Sequence, residues 1–266
     1  MFLNPLAPPF TNPRTIELLG KTIDGPTALI SGLFYLCFIV WWVIIILFCF
    51  AVKRYRFIIS TFYKGLKGNT LKMFLCGLGI GFFMNFICIL GAIFHKDIYL
   101  YYDSFKILPV LFMLVCVFIQ CAAEEMLYRG FGYQALRRAY KNPWVAIIVP
   151  SFVFAIGHLA NPGMTLLAFL NIIIAGILFS LIVYYFDSFW AAMAAHTAWN
   201  FTQNVIFGLP NSGLVLDFSI FKLDAAKATD SFFYSVAFGI EGTGMACLVL
   251  GLSCVVVILL GRKRVK

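Results

Sequence analysis

The sequence predicts an all-α protein, a polytopic transmembrane helix bundle with about seven to eight spans. Three observations carry that expectation. Of the 266 residues, 62% are hydrophobic and 12% charged, whereas a soluble domain is about a quarter charged. The mean hydropathy is +0.95, and the apolar residues fall in windows of about 20, the length that crosses a hydrocarbon core. The basic residues sit in short clusters at the ends of those windows, as loop charges that set topology do.

Residues 1–27 mix prolines and charges ahead of the first apolar run and predict an extramembrane or interfacial segment without a cleaved signal peptide. A single transmembrane domain then runs over 28–262. Its apolar windows are 28–52, 72–94, 107–128, 143–160, 164–186, 189–207 and 244–261. The region 208–243 interrupts apolar stretches with Asp217, Lys222, Asp224, Lys227, Asp230 and Glu241, and is the place for an eighth, amphipathic or re-entrant piece.

Lys53, Arg54, Arg56, Lys64 and Lys67 in the first loop, Arg137, Arg138 and Lys141 in the third, and the tail Arg262-Lys263-Arg264 form the basic side. The positive-inside rule puts them in the cytoplasm, with the N-terminus outside and the C-terminus inside. The net charge of +9 is thus a topology signal, and no nucleic-acid partner is expected. All eight cysteines lie in apolar segments without paired spacing and read as small hydrophobes.

Of eleven acidic residues, nine fall in expected tails, turns or loops, Glu241 among them; the other two are Glu124 and Glu125. A carboxylate at membrane depth is paired, protonated or turned to a wet cavity, and marks a functional site by default; the bland alternative is a structural ion pair. Arg129 follows Glu125 by four residues, so the two stack on one helical face and pair. Glu124, turned by about 100°, keeps no local cation and reads as the free carboxyl.

Two histidines share this apolar setting. The spacing of four places Phe154 with His158, and His196 with Asn200, each on a single helical face. A lone membrane histidine is more often a packing residue, but two of them with a free glutamate and an asparagine suit acid–base and oxyanion work. His-Glu-x-x-His, a pair of intramembrane aspartates and a Gly-x-Ser-Gly elbow are all absent.

The run Glu124-Glu125-Met126-Leu127-Tyr128-Arg129, then Phe154-x-x-x-His158, then His196-x-x-x-Asn200 resembles the three-motif signature of the CPBP family. That family groups type II CAAX prenyl endopeptidases with bacteriocin-processing and immunity proteins. The resemblance covers about residues 105–207. It implies a glutamate-type intramembrane endopeptidase acting on a protein tail or small peptide, and the Phe-, Ile- and Lys-rich composition favours a bacterial plasma membrane. Glu124 would be the general base, assisted by His158, with His196 and Asn200 as the oxyanion hole. Glu125, Arg129 and Phe154 would support the site, with neither metal nor other cofactor. A non-catalytic membrane partner or self-immunity protein on the same scaffold is the alternative. A proton-coupled transporter ranks last, since Pro150, Gly157 and Gly176 show no repeat symmetry. The substrate and the oligomeric state stay open.

Overall fold

A computed structural model describes residues 27–63 and 65–262, together with the backbone of 15–18 and 21–24. Most of the expected segment 1–27, and the basic residues Lys64, Lys263 and Arg264, lie outside the described residues. Strands β1 (Thr15–Leu18) and β2 (Lys21–Asp24) pair antiparallel, Thr15 opposite Asp24. Helices α1 (Thr27–Leu36) and α2 (Ile39–Ala51) form the first apolar span, broken by a turn at Cys37 and Phe38. Helix α3 (Arg56–Thr61) lies in the first basic loop and α4 (Leu71–Phe94) is the next span.

Strand β3 (Leu100–Tyr102) precedes α5 (Ile107–Glu125), which continues through a π-helical stretch, Met126–Gly132, into α6 (Tyr133–Ala139). Then come α7 (Pro143–Ile156), α8 (Leu166–Phe186) and α9 (Phe189–Phe201), the last extended by a second π-helical stretch, Thr202–Ile206. Strand β4 (Phe221–Leu223) pairs antiparallel with β3, Leu100 opposite Leu223, and α10 (Gly244–Gly261) closes the chain.

The fold is the expected all-α bundle of a multi-pass integral membrane protein. Among the described residues, five helical stretches are long and apolar enough to cross a membrane: 27–51, 71–94, 107–139, 166–186 and 244–261. Helix α7, and α9 with its π extension, are shorter and occupy the remaining two windows. Large outward side chains of the long spans, such as Leu47, Phe94, Leu108 and Leu252, are more than half exposed. That is the arrangement when lipid rather than water is the solvent.

Caps explain where the helices begin. Thr70, Asn142, Thr165, Ser188 and Thr243 each accept a hydrogen bond from a backbone N–H of the following turn. Asp187 makes the tight α8–α9 turn in left-handed conformation (φ 51°), and its carboxylate accepts from the Lys67 amide at 2.7 Å. Helix α9 is the hub. Every residue from Ala191 to Asn200 is buried, and its alanines let α4 pack close enough that a Cβ at Gly77 or Gly81 would strike the carbonyl oxygen of Ala191 or Ala195.

One expected boundary is corrected, and the open region 208–243 is made explicit. The window 143–160 ends early as a helix: α7 stops at Ile156, and tight backbone turns such as Asn161 N–H to the His158 carbonyl (2.9 Å) lead to Gly163 at φ 72°. Pro162, which cannot extend a helix, bars the chain from resuming one before Gly163. Residues 208–243 contain no membrane-length helix; they form an irregular cover held to the bundle by the fully buried Leu209, Tyr234 and Phe238.

Candidate active site

The motif residues come from three places around one cavity of about 380 Å³. The end of α5 brings Glu124 and Glu125, the turn after α7 brings His158, and the middle of α9 brings His196 and Asn200. Glu124, His158, His196 and Asn200 all line the cavity, together with Phe34, Phe38 and Trp41 from the first span.

Glu125 and Arg129 lie behind this wall with no solvent exposure. Arg129 Nη1 donates to Glu125 Oε1 at 2.8 Å, the i,i+4 pair the spacing predicts. Its guanidinium also packs over the rings of Phe154 (4.7 Å) and Phe179 (5.3 Å), a cation–π setting suited to a desolvated arginine. Glu125 is more than a tether for Arg129, because Oε1 also accepts from His196 Nδ1 at 3.0 Å. This bond fixes the histidine: with Nδ1–H committed to a carboxylate, the His196 ring presents Nε2 to the cavity. The ring is further clamped by stacking on Phe179 at 5.1 Å.

Glu124 faces the cavity with its side chain 17% exposed. Gln120, one turn earlier, donates Nε2–H to Glu124 Oε1 at 2.6 Å. Glu124 Oε2 makes no hydrogen bond among the described residues and lies 3.8 Å from His196 Nε2. Glu124 therefore does meet a cation-forming group, His196, which arrives from a distant part of the sequence.

His158 is oriented by the backbone of its own segment. Its Nδ1–H donates to the Phe154 carbonyl at 2.8 Å, which leaves Nε2 as the basic nitrogen. Asn200 Nδ2 approaches Gln120 Oε1 (3.3 Å), Cys121 Sγ (3.3 Å) and His196 Nε2 (3.4 Å).

Sequence reasoning missed a second polar wall. Asn171, Asn211, Ser212 and Glu241 line the same cavity. Glu241, expected among loop acids, is buried in the turn before α10. It accepts from Trp199 Nε1 (3.0 Å), Asn211 Nδ2 (2.9 Å) and Ser212 Oγ (3.1 Å), and from the Ser212 backbone N–H. Burial raises this carboxyl above its ordinary range against the opposing pull of those donors. The one signal for it in the sequence was an acid three residues before an apolar run; Gln120, one turn before Glu124 in a purely apolar window, was legible and overlooked.

All eight cysteines are free, with Cys49, Cys88, Cys116 and Cys121 buried.

Comparison with known proteins bears on the segment that carries these motifs. Residues 106–202 match the family model described as Type II CAAX prenyl endopeptidase Rce1-like, and contain every residue of the three motifs. The Uncharacterized protein YyaK of Bacillus subtilis (strain 168) is 30% identical over 117 residues, which are 41% of this chain and 39% of that protein. The chain thus spans about two fifths of the length of the curated relative it matches. No solved structure matches. The segment 106–202 is accordingly similar to the CAAX-type intramembrane proteases that this family model describes.

Proposed function

We propose that the protein is a glutamate-type intramembrane endopeptidase that hydrolyses a peptide bond in a protein tail or small peptide. The observation that carries this reading is Glu124: a cavity-facing carboxylate in an apolar bundle, with one oxygen held by Gln120 and the other without a partner among the described residues. An oxygen so placed is suited to take a proton from water as the water attacks a scissile carbonyl. His158, with Nε2 basic, assists as a second proton acceptor.

Attack forms the C–O bond and places negative charge on the former carbonyl oxygen. Asn200 Nδ2–H and, in its protonated form, His196 Nε2–H are the donors for that charge. Collapse breaks the C–N bond, and the proton held by Glu124 passes to the leaving amine. Glu125 and Arg129 serve by holding His196. The basic loops, containing Arg54, Arg137 and Arg138, face the cytoplasm in this reading, and the apolar walls at Phe34, Phe38 and Trp41 receive the substrate from the membrane side.

The test uses purified protein in proteoliposomes with a fluorogenic peptide ending in a CAAX-type tail, offered with and without a prenyl group. Wild type cleaves, Glu124→Ala loses at least about a hundredfold in rate, and a chelator leaves the rate unchanged. Cleavage that persists in Glu124→Ala sinks the assignment. A wild type that binds peptide without cutting it moves the protein to the non-catalytic reading.

A further inference from the structure

Asparagine and glutamine side chains are nearly isosteric under a half-turn, so packing alone does not choose which end of the amide faces a reaction. For Asn200 the choice is made by residues outside the three motifs. Asn211 Nδ2 donates to Asn200 Oδ1 at 3.2 Å and also to Glu241 Oε1 at 2.9 Å.

The polarity of this chain is forced from both ends. Glu241 Oε1 is met by Trp199 Nε1–H, a group that only donates, so that oxygen must accept. Ser212 Oγ, on the other oxygen, is the one side-chain partner able to reverse its role, so Oε1 remains an acceptor in either protonation state. Asn211 must then turn its NH2 toward Glu241, and the second hydrogen of that NH2 serves Asn200 Oδ1. With its oxygen taken, Asn200 can only turn its NH2 toward Gln120, Cys121 and His196. Gln120, accepting at Oε1, is left to donate to the acceptor-only Glu124.

We propose that Glu241 is a positioning residue which, through Asn211, holds the Asn200 amide with its N–H groups toward Gln120, Cys121 and His196. The role rests on the peptidase reading above and deepens it. Glu241 is itself firmly anchored, since its own carbonyl accepts from Asn171 Nδ2 at 2.9 Å, and Trp199 ties it to the residue next to Asn200 on α9. Without the acceptor at 241, Asn211 is free to turn over, and Asn200 then offers its oxygen to a developing oxyanion.

Three variants in the proteoliposome assay separate positioning from support of the fold. Glu241→Met keeps the length but removes the acceptor, and lowers kcat about 10- to 100-fold with KM within about twofold. Glu241→Gln, which keeps its oxygen on Trp199 and Asn211 but sets its NH2 against the Ser212 backbone N–H as well as Ser212 Oγ, lowers the melting temperature yet keeps turnover within about threefold of wild type. The pair Glu241→Gln with Asn211→Asp reverses the sense of the 241–211 hydrogen bond, setting the Gln NH2 against Trp199 Nε1–H but relieving the two facing carboxylates that Asn211→Asp alone creates. There the melting temperature recovers relative to Asn211→Asp alone while kcat stays at least about tenfold down. If kcat follows the melting temperature through all three variants, Glu241 only supports the fold and the proposal falls; equal turnover in Glu241→Met and wild type also overturns it.

A wild type without cleavage removes the peptidase reading and leaves the orientation testable by itself. In protein labelled with 15N-asparagine, the Asn200 side-chain signal, identified by its loss in Asn200→Ala, shifts in Glu241→Met and holds in Glu241→Gln. Shifts in both variants, or in neither, overturn the proposal.

Discussion

A guanidinium with no exposure must find compensation inside the protein, and Arg129 finds it in Glu125 and in the faces of Phe154 and Phe179. Removing one partner of a buried pair leaves the other charge alone and costs about 3–5 kcal/mol. Arg129→Ala is therefore expected to lower the melting temperature in detergent sharply and to release His196. Arg129→Lys recovers little, because an ammonium neither forks nor stacks; a lysine variant with wild-type stability sinks this account. A second residue-scale expectation concerns Asp97, outside the spans. Its burial alone raises the carboxyl, but hydrogen bonds from Ser231, His95 and Thr229 outweigh that and hold it below its ordinary 3.8. A carboxyl lowered on folding contributes stability that is full above its unfolded value and is lost as pH falls through the folded one. Thermal unfolding followed downward from about pH 6 shows a loss beginning below about pH 4, and Asp97→Asn flattens it. At this scale the motif residues were legible because i,i+4 spacing and the rarity of apolar-window acids are properties of the chain. Glu241 was not, since its burial comes from Trp199, Asn211 and Ser212, which only the fold brings to it.

Helix α4 makes its closest approach to the hub helix through Gly77 and Gly81, one turn apart. A methyl at either position meets a backbone carbonyl of α9, which has no rotamer to yield, while Gly79 between them looks into open space. Gly81→Ala and Gly77→Ala are each expected to cost about 1–3 kcal/mol, and Gly79→Ala to be neutral or slightly stabilising. Equal melting temperatures for the three variants would count against the packing described. Gly81 matters beyond stability, because its contact, Ala195, immediately precedes His196. Element boundaries were legible where caps and basic clusters mark them, as at Thr70 and Asn142. They were misjudged at α7, where apolar residues continue past Ile156 and hydropathy cannot see the turn that Pro162 and Gly163 impose.

For the molecule as a whole, seven apolar windows became helices, but the cavity they enclose had no sequence signature. It depends on the cover 208–243 folding back to supply Asn211, Ser212 and Glu241 opposite the motif wall. In the proposed orientation Arg54, Arg137, Arg138 and Arg262 lie on the cytoplasmic side. A phosphatase reporter that works only outside the membrane should be silent when fused after residue 262 and active when inserted near residue 104; the reverse pattern refutes the orientation.

Both helices that deliver motif glutamates and the His196–Asn200 pair leave them through wider, π-helical winding, at Met126–Gly132 and Thr202–Ile206. A π turn is an α turn that has taken in one residue, and excising that residue would swing everything beyond it by about 100°. On one side of the first stretch stand the carboxylates and on the other Arg137 and Arg138. The count of residues between them is thus a setting of angular phase, so an insertion or deletion there would disarm the site without altering a single side chain in it.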